Sequence, residues 1–282
     1  AKVFLALGRL QRLSPERWVV YQGKFATFFA ETSLTPHDLR PVDDSDHVGF
    51  PHGCKVEQLA VQLASPSPSE FRYYINQTLW DYLDNSSRAG LILHEIIYGE
   101  AIHYRLKTSY AVRRLVALLA SKQADDLALR EFVGFLREIN FPMTDIGRLS
   151  IMIGEDTPQF FADGHVKRIA LAAPETTITV GSQLFIAGSI FESDPLKRAV
   201  DFYPTGQIAR LCLSRAQYVR VGEYNLRIGN SVDAFGICAL NEVVFDTAGQ
   251  VLVAHLTQGQ TLSIQGEEVG GLDEWDCVKF HS

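Results

Sequence analysis

Hydrophobic positions in the first half of the chain recur mainly with the spacing of helices. A first helix is predicted from Pro15 to about Glu31, because Ser14 can cap a helix that has proline at its first position. It is expected to bury Trp18, Val19, Phe25, Phe28 and Phe29. Further helices are predicted from about Asn85 to Tyr104, from Tyr110 to Ser121 and from about Ala124 to Glu138.

Two short stretches in the same half have the alternation of strands. Residues 55–62 alternate around a β-branched core, although a helix fits their composition nearly as well, and residues 71–75 are a second strand candidate. The Ser-Pro-rich loop at residues 65–69 lies between them. A small β-hairpin is therefore expected, after a polar loop at residues 35–53.

The second half of the chain repeats one pattern three times. Its members are Phe160, Gly164, Val166 and Leu171, then Phe202, Gly206, Ile208 and Leu213, then Phe245, Gly249, Val251 and Leu256. The glycines are 42 and 43 residues apart, and a second alternating stretch follows each copy. Glycine can adopt the positive φ of a tight hairpin turn, so each copy should supply a hairpin and one or two further strands.

These patterns predict an α+β protein of two domains. Residues 1–149 should form a mainly helical domain with a small β-hairpin, and residues 150–282 an all-β domain of three repeats of about 42 residues. A hairpin is unstable alone, so the repeats should share one core. They could form a trefoil-like barrel, a short β-solenoid or an open meander, because periodicity does not reveal closure.

Composition and charge narrow the classes of function. Hydrophobic residues make up 46% and charged residues 21% of the chain, proportions that suit a protein with a buried core. The formal charge of −7 argues against a dedicated nucleic-acid-binding protein. No apolar run approaches the roughly 20 residues that cross a bilayer, so no transmembrane segment is expected.

The sharpest chemical pattern is His94-Glu95 in an apolar helical stretch. It matches the first half of a zinc-protease motif, which needs a second histidine four residues after the first. Tyr98 occupies that position, and His103 would lie roughly opposite His94 on a continuous helix. The simpler interpretation is a buried polar pair that ties the helix to a neighbouring segment. His94 and Glu95 nevertheless remain candidate catalytic residues, and His94 a candidate zinc ligand.

A second candidate is the loop at residues 43–54. Asp46, His47 and His52 are its candidate metal ligands, since carboxylates and imidazoles bind zinc and other divalent ions. Their spacing matches no recognised motif, so a solvated acidic loop is the ordinary explanation. A metal site would gain support only if this loop lay against His94 and Glu95.

Tyrosines and cysteines add weaker signals. Tyr203, Tyr218 and Tyr224 could line a carbohydrate-binding face, although tyrosines in strands more often pack on neighbouring side chains. Cys54, Cys212, Cys238 and Cys277 contain no CxxC pair, which argues against a cysteine metal site. They could form two disulfides in an oxidising compartment, or all remain free.

One segment resembles a known group. Leu93-His94-Glu95-x-x-Tyr98 followed by Val112-Arg113-Arg114-x-Val116 is similar to a helix pair found in exported proteobacterial proteins of unassigned function, over about residues 55–121. The resemblance implies a periplasmic or secreted location. It implies no activity, although His94 and Glu95 match the recurring pair of that group.

Two classes of function follow from these observations. The first is a non-enzymatic binding or structural protein of the cell envelope, without a cofactor, whose partner is an envelope protein or a glycan. The second is a metal-dependent hydrolase that uses zinc with His94, Glu95 and either His47 or His52. The first class is favoured because the sequence contains no complete catalytic set.

Overall fold

The computed structural model has two compact units, Ala1–Arg148 and Leu149–Ser282. It describes residues 1–40, 57–63, 66–67, 70–102, 106, 108–154, 157–188, 198–222, 224–229, 241–257, 262–264, 267–269 and 277–280. The first unit carries the helices and the second is built of strands, so the protein belongs to the α+β class, as predicted. No helix in the described ranges is long and apolar enough to span a bilayer.

Six α-helices lie in the described part of the first unit. They are α1 (Lys2–Leu13), α2 (Pro15–Phe28), α3 (Gln77–Tyr82), α4 (Asn85–Ala101), α5 (Tyr110–Ala120) and α6 (Leu129–Glu138). Neither α1 nor α3 was predicted from the sequence. The last helix begins five residues later than expected, because Lys122–Asp125 forms a separate 3-10 turn after the capping Ser121. Asp84, not Asn85, caps α4, and its carboxylate accepts hydrogen bonds from the Ser86 and Ser87 amides.

Three short strands accompany these helices: β1 (Thr32–Thr35), β2 (Ala60–Gln62) and β3 (Tyr73–Asn76). The expected antiparallel pair is present as β2 and β3, with Ala60 opposite Ile75. On the other side of β3 lies β1, parallel to it, with Thr32 opposite Tyr73. The sequence did not predict β1, because four residues that include three hydroxylic side chains carry no clear alternation.

The orientation of α2 differs from the prediction. Its buried residues are Arg17, Tyr21 and Phe28. Val19 and Phe29, which were expected in the core, are 56% and 62% exposed. The helix therefore directs a polar face inward and part of its apolar surface outward. The physical reason is that two buried carboxylates, those of Glu100 and Asp145, pair with the Arg17 guanidinium inside the first unit.

The remaining strands are numbered β4 to β18 in chain order. They are β4 (Met143–Ile146), β5 (Leu149–Met152), β6 (Gln159–Phe160), β7 (Val166–Ala170), β8 (Glu175–Val180), β9 (Gln183–Gly188), β10 (Ala199–Phe202), β11 (Ile208–Cys212), β12 (Gln217–Val221), β13 (Tyr224–Ile228), β14 (Glu242–Phe245), β15 (Val251–His255), β16 (Leu262–Ile264), β17 (Glu267–Val269) and β18 (Cys277–Lys279). A seven-stranded antiparallel sheet has the order β18-β15-β14-β11-β10-β7-β6. Three further hairpins, β8–β9, β12–β13 and β16–β17, alternate with its strands along the chain. No closed barrel is found among the described strands, and β6 and β18 are the edges of the sheet.

Three turns of the main sheet share one geometry. Gly164, Gly206 and Gly249 have φ values of 90°, 89° and 79°. Each glycine amide donates to the carbonyl three residues earlier, which belongs to Phe161, Tyr203 and Asp246 respectively. The pairing also shifts register at Phe160, Phe202 and Phe245, the residue four positions before each glycine.

The core of the second unit lies between the main sheet and the hairpins. One row across the sheet is fully apolar, because successive strands place Ile169, Val200, Leu211, Val243 and Ala254 opposite one another. These side chains are at most 1% exposed. From β9, Phe185 packs edge-to-face on Phe245 with ring centroids 5.0 Å apart. The hairpin β8–β9 is therefore packed onto the main sheet.

Candidate functional site

The side chains of His94 and Glu95 point in different directions from α4. Neighbouring residues of a helix point about 100° apart. Glu95 is 6% exposed. Burial raises the pKa of Tyr73 to about 12, and the charges of Glu31 and then Glu95 add to this shift. His94 is only half-buried, and its ring lies 5.6 Å from the ring of Tyr98. The two candidate catalytic residues therefore have different surroundings.

The proposed metal ligands can be compared with the structure only in part. Asp46, His47 and His52 lie outside the described residues. Within the described ranges, no three His, Cys, Asp or Glu side chains form a group that could hold a metal ion. His94, the remaining candidate ligand, stacks beside Tyr98 as described above.

A buried ionic cluster joins α2, α4 and β4. The Arg17 side chain, 10% exposed, contacts Glu100 through Nη1 and Asp145 through Nε, the latter at 3.1 Å from Oδ2. The two carboxylate side chains are 13% and 3% exposed. A buried charge is tolerated only when it is paired, so the inward position of Arg17 depends on these two partners.

Tyr21 and Lys24 extend the same face of α2. Burial and the negative charge of Glu100 raise the pKa of Tyr21 well above its usual value, and Glu100 also hydrogen-bonds its side chain. Burial lowers the pKa of Lys24, although the charge of Glu100 opposes this shift. The helical spacing of Arg17, Tyr21 and Lys24 places them on one face of α2, and this spacing is visible in the sequence. Such a polar stripe ordinarily faces solvent, so sequence reasoning missed the cluster.

A second charged group crosses the main sheet on β7, β10, β11 and β14. Asp201 accepts hydrogen bonds from Arg168 and Arg210, and Arg210 Nη1 lies 2.9 Å from Glu242 Oε2. Burial alone would raise the pKa of Asp201, but the two arginines lower it below its usual value. Opposite charges in neighbouring strands stabilise a sheet, so this ladder is structural.

The three candidate tyrosines have separate positions. The Tyr203 hydroxyl donates a hydrogen bond to the Phe245 carbonyl oxygen at 2.6 Å, so it forms a contact within the β unit. Tyr218 on β12 is 67% exposed, and Tyr224 at the start of β13 is 37% exposed. Tyr218 and Tyr224 lie on one hairpin, but the strand register directs their side chains to opposite faces, and Tyr218 is the most exposed of the three.

Three further outward side chains lie beside Tyr218 on the β12–β13 hairpin. Tyr218 is directly opposite Arg227, and Arg220 is directly opposite Asn225. All four residues are exposed, whereas Val219 and Leu226 between them are buried. We call Tyr218, Arg220, Asn225 and Arg227 the Tyr218 face. Facing side chains of paired strands have Cβ atoms about 5 Å apart, so one ligand can contact all four.

The neighbouring hairpin continues this surface. The Gln183 side chain on β9 donates to the Arg220 carbonyl and accepts from the Arg220 amide, both at 2.7 Å. Gln217 Oε1 accepts from the Ile186 amide at 3.2 Å. Two glutamine side chains therefore connect the edges of β9 and β12. The outward side chains of β8 and β9 are those of Glu175, Thr177, Thr179, Leu184 and Ile186, and Glu175 forms an ion pair with Arg215.

Cys212 at the end of β11 is disulfide-bonded and 4% exposed. Its direct neighbour across the sheet is Glu242 on β14. The sequence alone left open whether any cysteine was oxidised, because the spacing of the four cysteines follows no framework pattern.

The comparisons with known proteins give no further guide to this site. No protein-family model, curated protein or solved structure matches the chain.

Proposed function

We propose that the protein is a non-enzymatic binding protein of the bacterial cell envelope that binds its partner through the Tyr218 face. The observation that carries the proposal is the cross-strand pair of Tyr218, 67% exposed, and Arg227. Tyrosine and arginine are enriched in binding hot spots, because one offers a rigid ring and the other a planar set of donors. Their exposed pairing gives a partner both kinds of contact.

We also propose that the β unit consists of three copies of one segment of about 42 residues. The equal geometry of the turns at Gly164, Gly206 and Gly249 supports this. So do three isolated antiparallel bridges, which join Leu171, Leu213 and Leu256 to Ile151, Ala187 and Ile228. These leucines end the repeated sequence pattern, so the copies share contacts beyond their turns.

Comparison of two hairpins supports a binding role for the Tyr218 face. The two-residue turns after Val180 and Val221 align β8–β9 with β12–β13. Thr177, Thr179, Leu184 and Ile186 then correspond to Tyr218, Arg220, Asn225 and Arg227. The central inward positions are apolar in both hairpins, namely Ile178 and Phe185 in one and Val219 and Leu226 in the other. The hairpin therefore does not need Tyr or Arg at these outward positions, and their presence there supports a binding role.

A location outside the cytoplasm is part of the proposal. Disulfides persist mainly in oxidising compartments such as the periplasm and the extracellular space. The disulfide at Cys212 agrees with the periplasmic or secreted location that the resemblance of residues 55–121 implies.

The alternative is a zinc-dependent hydrolase that uses His94 and Glu95. It gains no specific support among the described residues, because Glu95 is 6% exposed while His94 packs beside Tyr98. The binding proposal therefore stands ahead of it.

Cosedimentation with isolated bacterial envelope material tests the proposed function. We expect saturable binding of the full chain, and at least about tenfold weaker binding of Tyr218→Ala, since truncating a hot-spot residue costs more than about 1.4 kcal/mol. Tyr82→Ala is the matched control, because Tyr82 on α3 is 84% exposed and outside the proposed site. Equal binding by all three proteins, or no binding by the wild type, would contradict the proposal.

A further inference from the structure

We infer that the ligand of the Tyr218 face is an anionic polysaccharide, a polymer of sugars that carry carboxylate or phosphate groups. The inference rests on the proposed function, because it names the ligand class of the same site. Three features carry it: the local charge, the exposed ring and the hydrogen-bonding groups beside that ring.

The local charge is opposite in sign to that of the whole chain. The chain carries a formal charge of −7, yet residues 215–229 contain three arginines and one acidic residue. Arg220 and Arg227 are both exposed on the outward face of the hairpin. Arg215, which precedes β12, is 61% exposed, but its Nε lies 3.8 Å from Glu175 Oε1 on β8, so the charges that the Tyr218 face offers an anion are those of Arg220 and Arg227. A guanidinium group binds a carboxylate or a phosphate through two parallel hydrogen bonds, so this hairpin is suited to an anion.

The position of the ring favours a sugar polymer. With Tyr218 67% exposed and Arg227 directly opposite, a ligand on the ring also reaches a guanidinium. An exposed aromatic ring offers an apolar surface on which the C–H face of a sugar can lie, while polar groups around it bind hydroxyls. Asn225 provides an amide on the same hairpin, and Thr177 and Thr179 provide exposed hydroxyls on β8.

A protein partner fits this surface less well. Stable protein interfaces bury about 800 Å² on each side around a mainly apolar centre. The described outward positions of the two hairpins contain three large apolar or aromatic side chains, Leu184, Ile186 and Tyr218, beside six polar or charged ones, of which one, Glu175, is acidic. An extended polysaccharide needs only a row of stacking and hydrogen-bonding positions, which a strand face supplies.

The test compares polymers that differ in charge. Dissociation constants of the full chain are measured for polygalacturonate, for its fully methyl-esterified form, which keeps the same backbone without the charge, and for dextran phosphate. We expect the wild type to bind at least one charged polymer at least tenfold more tightly than the ester, and to bind it more weakly at 200 mM than at 50 mM salt. Preference for polygalacturonate or for dextran phosphate identifies the anion as carboxylate or phosphate.

Variants connect this binding to the Tyr218 face. We expect the double variant Arg220→Gln/Arg227→Gln to lose at least tenfold in affinity for the charged polymer and most of its salt dependence. Arg130→Gln, which changes an exposed arginine on α6, should bind like the wild type. The changed side chains are exposed, so equal melting temperatures will show that each variant is folded.

Three outcomes would overturn the inference. If the protein binds polygalacturonate and its ester equally and does not prefer dextran phosphate, the Tyr218 face binds neutral sugars. That result would overturn the inference but not the proposed function. Failure to bind any polymer, together with Tyr218-dependent cosedimentation, would indicate a protein partner and would again overturn only the inference. Failure of both assays would overturn the inference and the proposed function together.

Discussion

Arg17 Nε lies 3.1 Å from Asp145 Oδ2 inside the first unit, and the same guanidinium also contacts Glu100. This arrangement accounts for the inward position of Arg17 on α2, which buries Phe28 as expected but not Val19. The helix can direct a charged side chain inward because α4 and β4 each provide a carboxylate. The three elements are thereby held together through one side chain.

Replacement of Arg17 should destabilise the protein strongly. Arg17→Met keeps a long side chain but leaves Glu100 and Asp145 without their cation, and breaking a buried ion pair costs about 3–5 kcal/mol. Urea denaturation at neutral pH measures the free energy of unfolding. The exposed control Arg130→Met should stay within about 0.5 kcal/mol of the wild type. A loss below about 1 kcal/mol for Arg17→Met would contradict the role of this cluster.

Acid should weaken the β unit through Asp201. The pKa of Asp201 is lowered in the folded protein, so the ionised form contributes stability above the unfolded value of 3.8. That contribution is lost as the pH falls through the lower folded pKa. We expect stability to decline with pH below about 4, and less steeply in Asp201→Asn. Asp126→Asn, at an exposed position, should follow the wild-type profile. Parallel profiles for all three proteins would refute the prediction.

The repeated turns permit a matched test of packing. Gly206 and Gly249 both have positive φ, so alanine at either site should cost about 1–2 kcal/mol. A Cβ on Gly206 would meet nothing within 4 Å, whereas one on Gly249 would lie 2.9 Å from the Gly181 backbone nitrogen. Thermal unfolding should therefore show a larger loss for Gly249→Ala, by about 1–3 kcal/mol. Equal losses would show that the turns at Gly181 and Gly249 are not in close contact.

Disulfide mapping should find Cys212 joined to Cys238. Cys277 is on β18, three strands from β11, which corresponds to about 14 Å, and a disulfide needs Cα atoms within about 7 Å. Cys238 precedes Glu242, the direct neighbour of Cys212, by only four residues. Mass spectrometry of a non-reduced digest identifies the pair. A Cys212–Cys277 peptide would contradict the strand order, and a free Cys212 would remove the support for export.

Local signals in the sequence predicted part of this fold well. Pro15 located the start of α2, because its fixed φ suits the first turn of a helix; Ser14 is at the N-cap position, but its side chain makes no capping hydrogen bond. Gly164, Gly206 and Gly249 located three turns, because a positive φ is a property of single residues. Neither signal required knowledge of distant parts of the chain.

Contacts between distant residues explain what the sequence did not predict. Arg17 meets Glu100 across 83 positions, so the orientation of α2 depends on a residue that no local pattern relates to it. His94 and Glu95 were prominent because they are adjacent in sequence, but adjacency on a helix separates their side chains. The exposure of Tyr218 was left open, because alternation in a strand does not show which face a neighbouring layer covers.

Photocrosslinking at position 218 tests the central claim most directly. Tyr218 is replaced by p-benzoylphenylalanine in the full chain, the protein is irradiated with bacterial envelope material, and covalent adducts are quantified. A second protein carries the same replacement at Tyr82, which is 84% exposed on α3. The account predicts a strong adduct at position 218 that excess unlabelled protein suppresses, with only background at position 82. Equal adducts at the two positions, or none at position 218, would contradict it.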